Sequence, residues 1–231
     1  MDESVILSNI AFNPDRGGLL KRLRLKVGSA DASEFSEMLD EAVGIARPSA
    51  VYRRVIVEQR EEDGVSIEGI RFQSRVLRVN LDTTEAAYPF LATCGMALQD
   101  WGDTQPDMIR AYWAETIKEE ALRASLAALF QEVDRREGPG HFSTMSPGSL
   151  ENWPISQQAP LFALLGEDTR QVGVTLTDSM LMIPTKSVSG VIFPTDASFE
   201  SCMLCQRENC PNRRAPYDES LYEREYCPAA R

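Results

Sequence analysis

Four of the chain's five cysteines fall within its last thirty residues, spaced C-x2-C-x4-C-x16-C as Cys202, Cys205, Cys210 and Cys227. A two-residue gap lets both thiolates of the first pair reach one centre from a single turn, which is why it recurs at zinc and iron–sulfur sites. A distant fourth ligand then closes a loop around the metal. Proline directly follows Cys210 and Cys227, and neither belongs to a second two-residue knuckle. Both features favour an iron–sulfur cluster, of the 4Fe–4S type, over zinc. Zinc stays open as the alternative. Disulfides or free thiols are a third reading, with disulfides rare in a reducing cytoplasm. Arg207, Arg213 and Arg214 surround the segment. They either offset the negative charge of a thiolate-bound centre or pair with Glu208, Asp218 and Glu219 on the surface.

From Ser198 onward the chain has few aliphatic and many charged residues, too little to build a core alone. A metal staple would account for its order. We therefore divide the chain into an α+β domain, residues 1–197, and a cysteine-rich segment, 198–231. The first part holds enough of the 43% hydrophobic residues to fill a core.

Lys and Arg number 24 against 35 Asp and Glu, a formal charge of -11. Such a balance repels phosphate backbones and supplies no counterion-release term, so nucleic acid is not an expected partner. No apolar stretch approaches the length of a membrane helix, and Met1–Ser4 carries two acids rather than a basic leader. We expect no membrane association and a cytoplasmic location.

Helices and strands alternate irregularly in the pattern. Ser4–Ala11 suits a strand, and a helix from about Ser33, boxed by Asp31 and Glu34, should run to the stop at Pro48. Tyr52–Gln59 and Gly69–Leu81 read as strands around the turn at Asp63-Gly64. Thr84–Trp101 reads as helical, with Cys94 in the core. Pro106 to about Val133 is the longest helix, its apolar residues returning at spacings of three to five. Arg135–Ser149 reads as an extended ligand loop because of Gly138, Pro139, Gly140, Pro147 and Gly148. A short helix over Gln157–Gly166 and strand material at Val172–Val174, Met180–Ile183 and Val188–Phe193 complete the domain.

Within this frame, Ser146-Pro147-Gly148-Ser149, Trp153-Pro154, Leu161–Leu165, Leu176-Thr177-Asp178-Ser179-Met180, Pro184 and Ser187-Val188-Ser189-Gly190 stand in a fixed order. In these runs the chain resembles the activation (reactivation) domain of cobalamin-dependent methionine synthase, in a stand-alone form with a cysteine-rich tail. The resemblance implies mixed helices with a mostly antiparallel sheet. It also implies S-adenosylmethionine as a ligand, and a corrinoid presented by a partner, either a corrinoid protein or a cobalamin-dependent methyltransferase. Carried over residue by residue, it points to Glu119 on the long helix and to the turn Pro147, Gly148 and Ser149. The family's Pro-Gly-Tyr is here Pro-Gly-Ser, and its carboxylate-holding arginine falls on Thr144.

His141, the sole histidine, sits on the expected ligand loop, and Lys186 with Ser187 could face a phosphate or propionate of a corrinoid. Loop packing and a surface strand end are the plain alternatives. No G-x-S-x-G, Walker or G-x-G-x-x-G motif is present. The expected function is reductive reactivation of a corrinoid protein by electron transfer through the cluster. A docking or assembly module with a structural zinc tail is the alternative.

Overall fold

A computed structural model describes residues 4–138, 141–195, 199–210 and 213–227. Pro139, Gly140, Pro211 and Pro228, which entered the readings above, and the boundary at 197/198 lie outside the described residues. The strands are β1 (Val5–Leu7), β2 (Ser49–Tyr52), β3 (Val55–Arg60), β4 (Gly64–Ile67), β5 (Ile70–Gln73), β6 (Ala86–Thr93), β7 (Phe142–Met145), β8 (Thr175–Leu176), β9 (Met182–Ile183) and β10 (Ser187–Pro194). The helices are α1 (Arg16–Arg22), α2 (Ala30–Ile45), α3 (Arg75–Asn80), α4 (Met96–Asp103), α5 (Met108–Glu137), α6 (Gln158–Leu165) and α7 (Asp168–Gln171).

β6 is the axis of the main sheet. It pairs along its length with β10, which continues to β7, while its other edge meets β2 at Phe90–Thr93 and β3 at Ala86–Ala87. All pairings are antiparallel, and the mixed α+β architecture expected from the sequence is what forms. Successive side chains of a strand point to opposite faces. Tyr88, Phe90 and Ala92 accordingly join the core beneath α2, α4 and α5, while Ala87 joins a second core with Val191, Phe193, Trp153 and α3.

That double coverage corrects the helical reading of Thr84–Trp101. Every residue of β6 is buried, so the strand shows no alternation, and only α4 beyond it is helical. Likewise the strand expected over Gly69–Leu81 ends at Gln73. Ser74 then caps α3, its hydroxyl accepting from the Leu77 N–H at 3.1 Å. The loop expected over Arg135–Ser149 contains β7.

The long helix forms as its spacing predicts. Asp107 accepts from the N–H groups of Ile109 and Arg110, both at 2.9 Å, and Trp113, Ile117, Ala121, Leu129 and Val133 make its buried stripe. For α2 the cap is Ser29, not the expected Asp31 and Glu34 box, so the helix starts at Ala30. Cys94 is fully buried as expected. Among the described residues no helix is long and apolar enough to cross a membrane.

The tail also has protein contacts that its composition does not reveal. Phe199 and Tyr226 belong to the second core, where Phe199 lies 6.5 Å from Phe193 and 6.1 Å from Tyr226 between ring centroids. Aromatic burial therefore contributes to holding the segment, because two such rings bury area comparable to several aliphatic side chains. Composition alone undercounts this, since both rings pack on residues far upstream.

Candidate cofactor and metal site

The turn after β7 is built by close backbone approach. Gly190, opposite this turn on β10, has no room for a side chain: a Cβ there would lie 2.4 Å from the Met145 carbonyl oxygen and 2.8 Å from Ser146 Oγ. Gly148 adopts φ +80°, which glycine tolerates, and its N–H donates to the Trp153 carbonyl at 2.7 Å. Ser149 closes the turn through its N–H and hydroxyl, which donate to the Ser146 carbonyl at 3.1 and 2.6 Å. The Ser146–Ser149 run thus forms a rigid corner over the buried Trp153.

The tail is laid against this corner. Ser143 Oγ donates to the Phe199 carbonyl at 2.7 Å, and Ser201 Oγ to the Thr144 carbonyl at 3.4 Å. Residues Ser201–Leu204 make a single 3-10 turn that carries Cys202, and the Cys205 N–H donates to the Cys202 carbonyl at 3.3 Å. At the far end, Tyr222–Tyr226 forms a π-helical turn. Arg75 Nε donates to the Tyr226 carbonyl at 3.0 Å, and the Tyr226 hydroxyl donates to Asn80 Oδ1 at 3.0 Å. Cys227 follows immediately, its N–H on the Tyr222 carbonyl at 2.9 Å.

Corner and tail line an open, shallow cavity of about 360 Å³ that includes Thr144, Ser146, Ser149, Cys202, Cys205 and Arg214. A larger cleft, about 780 Å³, continues past Ser149 and Cys205 to Tyr217 and Tyr222. Cys202 and Cys205 therefore open on the same space as the family-like turn.

The donor set suits a thiolate-bound metal. All four tail cysteines are free and half-buried, and soft sulfur ligands select iron–sulfur clusters and zinc. The Arg214 N–H lies 3.4 Å from Cys202 Sγ. Among the described residues no three His, Cys, Asp or Glu side chains converge as a ligand group.

The other predicted positions are dispersed. Glu119 faces outward from α5, where Arg22 and Arg123 donate to its carboxylate at 2.6 and 2.8 Å. Burial works to raise its pKa, but these two guanidinium groups outweigh it, and the net shift is downward. His141 is exposed, and its carbonyl accepts from the Thr195 N–H at 2.9 Å. Lys186 reaches Glu115 at 3.0 Å, and the buried Ser187 hydroxyl is 2.8 Å from Thr93 Oγ1. Neither Glu119, His141, Lys186 nor Ser187 lines the cavity beside Cys202.

Sequence reasoning missed a charged cluster at the other face of the sheet. The side chain of Lys118 is only 1% exposed and pairs with Glu115, which also holds Lys186. Burial opposes ionisation of Glu115, yet the two lysines lower its pKa overall. Beside them, burial pushes the Cys94 thiol up to about 11. The i,i+3 spacing of Glu115 and Lys118 was visible, but nothing local marks that lysine as interior.

An antiparallel α+β domain with a four-cysteine tail seated on the turn after β7 is the class that these features define. Residues 147–212 match the family model described as vitamin B12 dependent methionine synthase, activation domain. That stretch holds Pro147, Gly148, Ser149, Lys186, Ser187 and the first three tail cysteines. The fold is shared with a crystal structure of the MetH reactivation domain bound to AdoHcy, at TM-score 0.62 and 13% identity over 86% of this chain and 80% of that one. No curated protein matches in sequence. The chain thus resembles the methionine synthase activation domain in both sequence motif and fold, as Ser146–Gly190 led us to expect.

Proposed function

We propose that this chain serves the reductive reactivation of a corrinoid protein or a cobalamin-dependent methionine synthase. Cys202, Cys205, Cys210 and Cys227 would hold an iron–sulfur cluster, and the domain would dock the corrinoid-bearing partner. The observation that carries the reading is the shared cavity, in which Cys202 and Cys205 open beside Ser146 and Ser149 of the turn that resembles the activation domain. Bound there, a cluster would supply a one-electron carrier. The chain's own work is positioning. The glycine-built corner and the Phe199 and Tyr226 anchors position the segment that carries the thiols.

An S-adenosylmethionine-type ligand belongs to the same reading, because the related fold was crystallised with AdoHcy. The adjoining cleft of about 780 Å³ is large enough for it. Thr144 offers no charge to a carboxylate, so any such ligand would be held differently here.

Anaerobic reconstitution with iron and sulfide tests the proposal. The protein should take up both and show a broad visible absorption that bleaches with reductant. A colourless protein holding tightly bound zinc would end the electron-carrier role and leave the docking-module alternative.

A further inference from the structure

Arg213 lies within the cysteine segment and makes a different set of contacts from its arginine neighbours. Arg214 is neutralised by Glu200 at 2.8 Å. Arg213, among the described residues, makes no ion pair and instead gathers backbone carbonyls. Its Nη1 donates to Cys202 O at 2.9 Å and Ala215 O at 3.2 Å; its Nη2 donates to Cys205 O at 3.0 Å and to Arg207 O. All four terminal N–H bonds of the guanidinium are thereby used on one loop.

We infer that Arg213 is the positioning residue of the cysteine site, holding the Cys202–Cys205 turn in place before any metal arrives. The inference rests on the proposed cluster reading for its purpose, while its structural content stands apart from it. Two of the four carbonyls belong to cysteines themselves, so the fork sets the backbone from which Cys202 and Cys205 project. Peptide planarity turns the N–H following each held carbonyl away from the guanidinium, which fixes the orientation of the loop's amides. The charge also suits the site. A guanidinium whose N–H groups bind carbonyls rather than a carboxylate keeps a positive charge that complements the net negative charge of a four-thiolate centre. Lysine could not substitute, since an ammonium is a point charge with three donors and lacks the planar fork.

Hydrogen–deuterium exchange on the reduced, metal-free full-length chain tests this directly, with Arg213→Lys and Arg213→Gln as variants. Loss of the fork should speed exchange across 202–210 and 213–218 by about tenfold or more in both variants, while amides of β6 and β10 stay at parental rates. Exchange in that segment at the parental rate in Arg213→Gln would overturn the inference, as would full retention of protection in Arg213→Lys. A parallel titration with cobalt(II), read by its thiolate charge-transfer absorption, should show at least about tenfold weaker binding in both variants. Parental cobalt affinity in the variants would likewise refute the role. A parent that binds neither cobalt nor a cluster would end the cluster reading, and the exchange data would still decide whether Arg213 holds the turn.

Discussion

The hydroxyl of Ser143 donates to the carbonyl of Phe199 at 2.7 Å, joining β7 to the start of the cysteine tail 56 residues later. Through that bond and the ring of Phe199, the segment that carries the thiols is part of the domain's second core. The account of function depends on this seating, because it brings Cys202 and Cys205 to the turn after β7.

Phe199→Ala should therefore destabilise the whole domain, not merely loosen an appendage. A ring 5% exposed within a packed core loses about 3 kcal/mol on truncation. Urea unfolding monitored by tryptophan fluorescence would read it. A change below about 0.5 kcal/mol would mean that the tail does not pack as described.

Gly190→Ala should cost about 2 kcal/mol or more, because its Cβ would meet the Met145 carbonyl at 2.4 Å, and backbone on two paired strands cannot yield cheaply. The same variant should disturb the Ser146–Ser149 corner. Calorimetric melting reads the first effect, and exchange of the Gly148 and Ser149 amides the second.

Glu115→Gln leaves the interior Lys118 without its counter-charge and should cost about 1 kcal/mol near neutral pH, because the half-exposed carboxylate is partly screened by solvent. The pH dependence has a definite sign. The folded pKa of Glu115 lies below its ordinary value, so its contribution is present above that value and is lost as pH falls through the lowered one. Unfolding free energies taken from neutral pH down into that acid range should fall more steeply for the parent than for the variant. Parallel curves would contradict the pairing.

Cys94 should resist alkylation where the tail cysteines react. Its thiol is buried and stays protonated until about 11, so a neutral iodoacetamide solution should label Cys202, Cys205, Cys210 and Cys227 in metal-free protein and leave Cys94 unmodified. Peptide mapping by mass spectrometry reads the result. Early labelling of Cys94 would show that its packing is looser than the fold requires.

Much of this arrangement could be read from residue order. α5 announced itself by periodicity, and the runs from Ser146 to Gly190 pointed to the family whose model matches residues 147–212. What misled was burial on two faces. β6 has no polar face to betray its period, so its apolar run passed for a helix. Val76 and Leu77, read as strand, turn into α3 because the Ser74 hydroxyl caps them. The tail's anchors were illegible for another reason. Phe199 and Tyr226 look like two rings in a charged segment until their partners, Phe193 and Asn80, are known. Arg213 likewise carries no local sign of its four carbonyl contacts.

The most direct measurement is anaerobic reconstitution followed by iron, sulfide and zinc analysis with electron paramagnetic resonance, on the parent and on a variant with Cys202 and Cys205 both changed to alanine. The account predicts iron and acid-labile sulfide in the parent, a reducible paramagnetic signal, and loss of both in the variant. Zinc alone in the parent, or iron retained without those two thiols, would contradict it.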